Sequence, residues 1–193
     1  MATVGLVFSV PLWLLIAVAI VLDDGHPIFY LQERVGRHGR RFRTWKFRSM
    51  VRGVHKRTER LRASTGHSRA TRVGRFLRAT ALDELPQFWN IMRGDMSFVG
   101  PRALMPEETE VHGSGDLVAL EKLPGFQERH TVRPGLTGLA QVYASRDIPR
   151  RQKFRYDLLY IRKQSLSLDL RLLAYTLWIV LRGRCEYRRG KSR

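Results

Sequence analysis

The chain has 193 residues, a formal net charge of +18 and 44% hydrophobic residues. That length allows one domain with at most a terminal appendage, and that hydrophobic fraction excludes wholesale disorder. A single cysteine, Cys185, excludes an internal disulfide and any multi-cysteine zinc site, while the charge points to anionic partners: nucleic acid, phosphorylated substrates or an acidic membrane surface.

Val4 to Leu22 carries no charged side chain and runs long enough to approach a bilayer span. It does not read as a signal peptide, because no basic n-region precedes it and no small-residue cleavage site follows. Pro11 should kink or break a helix here by removing a backbone donor, and Ser9 offers a hydroxyl to a freed backbone group. A full span, a re-entrant helix that leaves on the side it entered, and a buried core helix all stay open on these residues. Basic residues follow soon after Leu22, which puts the body of the chain on the cytoplasmic side.

Asp23 to Pro27 is a turn signal, and Ile28 to Leu31 reads as a short strand. In Glu33 to Met50, Gly36 and Gly39 suggest a hairpin turn, with Phe42, Trp45 and Phe47 as strand aromatics among cations. Between Arg34 and Arg78 there are sixteen Lys or Arg and one acid, Glu59. Such a density suits phosphates or anionic head groups, and a solvated basic face explains the interleaved aromatics less well. Val51 to Thr71 reads as a helix followed by a mobile loop.

Arg72 to Arg102 is the central stretch. Asp83 and Glu84 sit between Leu82 and Leu85, near Pro86, with Arg72, Arg75 and Arg78 upstream and Arg93 and Arg102 downstream. Carboxylates so surrounded should stay ionised, as a nucleophile, base or metal ligand of phosphoryl transfer requires. The same residues also fit an acidic first helical turn capped by Thr80 or Asp83, with Pro86 early in the helix. A helix from about Arg72, a break, a second helix over Leu85 to Met92 with Phe88, Trp89 and Met92 inward, and a strand over Met96 to Val99 are expected.

Ala103 to Phe126 holds most of the remaining acids and reads as an exposed helix plus loop. Arg129 to Val142 packs Pro134, Gly135 and Gly138 into a tight turn with His130, Arg133 and Gln141 beside it. Phe154, Leu158 and Ile161 have helical spacing, and Ser167 or Asp169 caps a further helix. Leu170 to Leu181 is strongly apolar but short for a span, and six basic residues lie between Arg182 and Arg193. A helix lying in the membrane interface, with Tyr175 and Trp178 near the head groups, and a core helix are both compatible with it.

The stretches QERVGRHGRRFRTWKFRSM, ATALDELPQFWNIMRGDMSFVGPR, RPGLTGLAQV and YDLLYIRKQSLSLDLRLLAYTLW together resemble the bacterial sugar transferases of the monotopic phosphoglycosyl transferase superfamily. They occur in family order and cover nearly the whole chain. The resemblance implies a helix-rich α/β (α+β) fold. Residues 1–24 would form a proline-broken re-entrant membrane helix at Ser9 and Pro11. Residues 25–193 would form a catalytic domain with C-terminal interfacial helices, including an amphipathic one at about 166–182.

It implies transfer of a sugar-1-phosphate from a UDP-sugar to polyprenyl (undecaprenyl) phosphate, releasing UMP, at the cytoplasmic face of a bacterial inner membrane. Asp83 would be the nucleophile and a magnesium ligand, giving an aspartyl phospho-sugar, and Glu84 its proton-handling partner. Lys46, Arg48, Arg102 and Arg133 match basic positions of family motifs and are the expected phosphate ligands. Mg2+, the UDP-sugar, the lipid acceptor and membrane lipids are the expected partners; nucleic acid is not one, and a homo-oligomer is left open. A membrane-anchored basic module without chemistry is the alternative from another class. Val10 between Ser9 and Pro11, and Ala103 after Pro101-Arg102, depart from the family pattern, and the multi-span amino-terminal domain of larger members is not seen.

Overall fold

A computed structural model describes residues 2–52, 70–111, 117–145 and 148–182, with side chains from Ser9 onward. Helices make up 52% of this mixed helix and strand structure. Helix α1 (Ala2–Asp24) opens it. Ile16 and Ile20, one turn apart on one face, are buried with Phe47 and Leu77, and Trp13, Leu82 and Leu85 pack around them. Leu14, Leu15, Val18 and Leu22 of the same helix are exposed.

At Ser9 and Pro11, where a kink or break is expected, α1 runs on through Pro11 as one helix, with Ser9 buried and Pro11 exposed. Proline removes one backbone donor, and a long helix can continue past that loss. Among the described residues no helix is long and apolar enough to cross a membrane.

Strands β1 (Phe29–Val35) and β2 (Arg41–Phe47) form the expected hairpin, in antiparallel register from Phe29↔Phe47 to Val35↔Arg41. The period of two sorts its faces. Phe29 and Phe47 stack at 5.3 Å on the side that meets Trp13 of α1. Tyr30, Gln32 and Lys46 line a cavity on the other. The helix and loop expected over Val51 to Thr71 lie mostly outside the described residues.

Helix α2 (Arg72–Ala79) starts at Thr71, whose hydroxyl accepts from Gly74 N at 2.9 Å, while Asp23 at the end of α1 accepts from Val73 N at 2.9 Å. Helix α3 (Gln87–Met92) buries Gln87 and Asn90, whereas Trp89 and Met92, expected inward, are 43% and 40% exposed. The reason is β2: α3 lies against its open edge, where backbone groups need polar partners.

Strand β3 (Ser97–Val99) follows the expected Arg93–Asp95 turn. The expected helix after Ala103 is instead a hairpin of β4 (Thr109–Val111) and β5 (Leu117–Ala119), in which Glu108 and Glu110 are tied to Arg150 rather than left in solvent. The short helix α4 (Phe126–Arg129) leads to β6 (Gly135–Thr137), which pairs parallel to β3 and replaces the tight turn expected there. The glycines permit that contact: a Cβ on Gly135 would sit 2.1 Å from Gly100 N, and one on Gly138 2.1 Å from Gly100 O.

Helices α5 (Leu139–Tyr143), α6 (Arg150–Lys163) and α7 (Leu166–Leu181) complete the structure. Ser165, not Ser167 or Asp169, caps α7 by accepting from Leu168 N at 3.3 Å; Asp169 instead accepts from the Tyr160 hydroxyl at 2.9 Å. Leu172 is fully buried against Val99, Val142 and Tyr160, while Leu170, Leu177, Trp178 and Leu181 face outward.

Candidate active site

The Asp83–Glu84 pair sits in a 3-10 turn of its own (Leu82–Glu84) between α2 and α3. Ala81 enters it in the left-handed region at φ 55°, an uncommon conformation for a residue with a Cβ. Neither carboxylate caps a helix. Thr80 closes α2 by bonding Phe76 O at 2.8 Å, and Pro86, not Asp83, precedes α3. The capping explanation of the pair is therefore set aside.

The two acids differ electrostatically. Burial, then the adjacent Glu84 charge, pushes the Asp83 carboxyl up to about 6, against the pull of Lys46 and Arg78. The neighbouring cations were expected to dominate at both acids; at Asp83 burial outweighs them. Burial also acts upward on Glu84, but Lys46, Arg102 and Arg34 together outweigh it and hold that carboxyl below its ordinary value. Lys46 forms an ion pair with Glu84. Both acids line a cavity of about 690 Å³, whose lining also includes seven basic residues and a third carboxylate, Asp157.

The expected phosphate ligands separate on this geometry. Lys46, Arg48 and Arg102 line the cavity with Asp83 and Glu84; Arg133 does not, and its guanidinium lies beside Gly94 on an exposed turn. Arg48 is 4% exposed, and its Nη2 donates to the carbonyls of Asp24 at 3.0 Å and Gly25 at 2.6 Å, closing the C-terminus of α1. Its Nε and Nη1 are buried without a hydrogen-bond partner. Arg102 is exposed, and Arg34 lies close enough that burial and Arg102 pull the Arg34 guanidinium down to about 10. His130 lines a separate cavity of about 280 Å³.

Several site residues were not singled out from sequence. Arg129, 2% exposed, donates from Nη2 to Arg102 O at 2.7 Å and lies 2.9 Å from Asp157 Oδ2, so a buried ion pair fixes the Arg102 backbone. A usable signal existed: Asp157 falls three residues after Phe154 on the buried stripe of α6, where a carboxylate needs a partner. Asn90 links α3 to β2, accepting from Trp45 N at 3.0 Å and donating to Arg43 O at 2.8 Å.

Among the described residues no group of three or more His, Cys, Asp or Glu could hold a metal. Magnesium more often takes one or two carboxylates with substrate phosphate oxygens and waters. Asp83, half-buried beside a second carboxylate and lining a cavity with several cations, fits such a partial ligand set.

The family model described as bacterial sugar transferase matches residues 1–183. The chain belongs to that family. This bacterial sugar transferase is 39% identical over 185 residues to a UDP-N-acetylgalactosamine-undecaprenyl-phosphate N-acetylgalactosaminephosphotransferase of Aeromonas hydrophila, covering 94% of this chain and 42% of that protein. It is 38% identical over 179 residues to a UDP-glucose:undecaprenyl-phosphate glucose-1-phosphate transferase of Klebsiella pneumoniae, covering 90% and 37%. An uncharacterized sugar transferase of Bacillus subtilis (strain 168) is 36% identical over 173 residues, covering 87% and 77%. The chain thus spans about two fifths of the length of the first two relatives.

Proposed function

We propose that this bacterial sugar transferase moves a sugar-1-phosphate from a UDP-sugar to undecaprenyl phosphate, at the cytoplasmic face of a bacterial inner membrane. The observation that carries the reading is the Asp83–Glu84 turn within a cavity whose basic side chains outnumber its carboxylates seven to three. The names of the Aeromonas and Klebsiella relatives, both specifying a UDP-sugar and undecaprenyl phosphate, support the same donor and acceptor classes.

In the proposed mechanism a carboxylate oxygen of Asp83 attacks the phosphorus that bears the sugar. The bond from that phosphorus to the bridging oxygen breaks, and the bridging oxygen leaves with UMP. A phosphate oxygen of the lipid acceptor then attacks the same phosphorus, the aspartyl bond breaks, and Asp83 is regenerated. A carboxylate approaching a diphosphate meets like-charge repulsion, which Lys46, Arg48 and Arg102 offset from fixed positions. Glu84 holds Lys46 beside the reacting carboxylate and is the group available to take a proton from the incoming phosphate. Bound magnesium, held partly by Asp83, would supply further charge neutralisation at the diphosphate.

The test is intact-mass spectrometry of the nanodisc-held protein incubated with UDP-sugars and magnesium, without lipid acceptor. A phospho-sugar adduct is expected on the wild type, absent from Asp83→Asn and discharged by undecaprenyl phosphate with UMP release. Equal UMP release by Asp83→Asn and wild type would overturn the nucleophile assignment.

A further inference from the structure

Arg102 belongs to a segment whose backbone is tied down at each step. Gly100 N donates to Thr137 O at 2.9 Å, Gly135 N donates to Pro101 O at 2.9 Å, and Val35 N donates to Leu104 O at 2.9 Å. The carbonyls between these contacts are taken by arginine side chains: Arg129 Nη2 donates to Arg102 O at 2.7 Å, and Arg34 Nη1 to Ala103 O at 3.3 Å. Pro101, Ala103 and Leu104 are buried, whereas Arg102 is exposed and lines the large cavity with Asp83 and Glu84. With Lys46, it acts on the Glu84 carboxylate against that group's burial.

Arg129 is held on two sides. Its Nε donates to Asp157 Oδ2 at 3.0 Å, and its Nη2 lies 2.9 Å from the same oxygen. Its Cζ stands 4.7 Å from the centre of the Phe154 ring. Phe154 and Asp157, one turn apart on α6, are both buried, so one helix face grips the guanidinium through its ring and its charge together. The planar fork can serve Asp157 and the Arg102 carbonyl at once, which the compact ammonium of a lysine cannot reproduce. A buried ion pair is weak evidence of stabilisation, because desolvation offsets the attraction, so the presence of this one calls for another reason.

We propose that Arg129, oriented by Asp157, is a positioning residue for the transfer reaction and acts through Arg102. The inference rests on the proposed function, in which Arg102 offsets charge at the substrate phosphates. Holding the Arg102 carbonyl fixes the point from which that side chain enters the cavity. Charge stabilisation in a phosphoryl transfer depends on groups already in place, so releasing the anchor slows the reaction. Arg129 and Asp157 themselves belong to the cavity lining, as do Arg150 and Lys153 of α6, so the test separates action through Arg102 from direct contact with substrate.

The experiment measures kcat and KM for transfer from a UDP-sugar to undecaprenyl phosphate by the full chain in nanodiscs, as wild type, Arg129→Lys, Arg102→Ala and the two combined. Arg129→Lys should lower kcat roughly 10- to 100-fold, the scale of a small misplacement of a reacting group, with the donor KM changed less than about threefold. Arg102→Ala should lower kcat at least as much. In the Arg102→Ala background, Arg129→Lys should change the rate less than about twofold, because the residue it acts through is gone. Arg129→Met combined with Asp157→Leu removes the pair in favour of apolar side chains; it should keep a cooperative melt and show the same loss of kcat as Arg129→Lys. Losses that multiply in the Arg102→Ala background would overturn the proposal, since they mark direct substrate contact or a general disturbance. So would wild-type kcat in both Arg129 variants, or rate losses that only follow the fraction of protein folded. A wild-type rate in Arg102→Ala would remove Arg102 from the reaction and the proposal with it, whereas a wild type that transfers from no UDP-sugar would remove the transferase assignment itself.

Discussion

Asn90 ties the strand carrying Lys46 to the turn carrying Asp83 and Glu84, so its replacement measures how far the site depends on that tie. β1 and β2 form a two-stranded sheet, and among the described residues no further strand pairs with the outer edge of β2. The Asn90 amide takes the neighbour's place, accepting from Trp45 N at 3.0 Å and donating to Arg43 O at 2.8 Å, as a strand peptide would. Asn90 is 1% exposed, so water does not replace it readily. Asn90→Ala leaves one N–H and one C=O unpaired, at about 1–3 kcal/mol each. Partial relaxation puts the expected loss near 3 kcal/mol. For a chain of this size that is a fall in Tm of about 6–12 °C. Asn90→Asp keeps the acceptor for Trp45 but sets a carboxylate oxygen against the Arg43 carbonyl, and should be at least as damaging. Thermal melts in nanodiscs read the loss directly, and transfer rates well below the melt read its effect on the site. A Tm for Asn90→Ala within about 2 °C of wild type would refute the argument, since it would place the loss below roughly 1 kcal/mol.

Two further substitutions follow from other parts of the structure. Gly135→Ala puts a Cβ 2.1 Å from Gly100 N and 2.4 Å from Thr137 O, both backbone atoms; the β3–β6 pair must part, and a loss of about 3 kcal/mol or more is expected in the same melts, against no loss if the strands separate freely. His130 is 6% exposed, with Nδ1 bonded to Phe126 O at 2.7 Å, and burial, then the Arg129 charge, holds its ring down at about 4. Its folded value lies below the unfolded one, so the unfolded state binds the proton first and stability falls as pH drops from about 6.5 to 4. That linkage amounts to about 3 kcal/mol at pH 4. Denaturant unfolding of wild type and His130→Gln at pH 7 and pH 4.5 should show the wild type losing the larger share, and parallel losses would remove His130 as the cause.

What the sequence reveals depends on whether the relevant interaction is local. The β1–β2 hairpin is legible because Gly36, Gly39 and the alternating aromatics act over a few residues. The same holds for α6, whose apolar stripe repeats at the helical period. The β4–β5 hairpin is not legible, because its acids look solvent-facing until Arg150, forty residues on, is seen to hold Glu108 and Glu110. Gly135 reads as a turn residue, yet its small size serves contact with Gly100, a partner that no local pattern names. Within the candidate site, the Asp83–Glu84 pair stands out on its residues alone, Lys46, Arg48 and Arg102 come from the resemblance, and the fold brings all five to one cavity. Arg133 is not separable from them by charge, since only the fold turns it away from the cavity. Asp157 can be noticed on the buried stripe of α6, but its partner Arg129 cannot, because the two lie on different helices.

Arg48 connects the membrane-facing question with the chemical one. Its guanidinium divides its donors: Nη2 closes the end of α1, while Nε and Nη1 stay buried at the cavity without a partner. Arg52 also holds the Asp24 carbonyl, at 2.7 Å, and Asp23 holds the start of α2. The last turn of α1 is therefore fixed by charge-assisted bonds on several sides as well as by the burial of Ile16 and Ile20. The exposed apolar face of α1, with Leu14, Leu15, Val18 and Leu22, consequently stands in a set position relative to Lys46 and the two carboxylates. Under the proposed function, an acceptor whose phosphate is attached to a lipid chain would use that arrangement: cations for its head beside an apolar surface for its tail, with the spacing held rigid. In that proposed reaction a freely jointed anchor would not present the acceptor phosphate to Asp83 in a defined orientation, which is where positioning contributes most to a phosphoryl transfer.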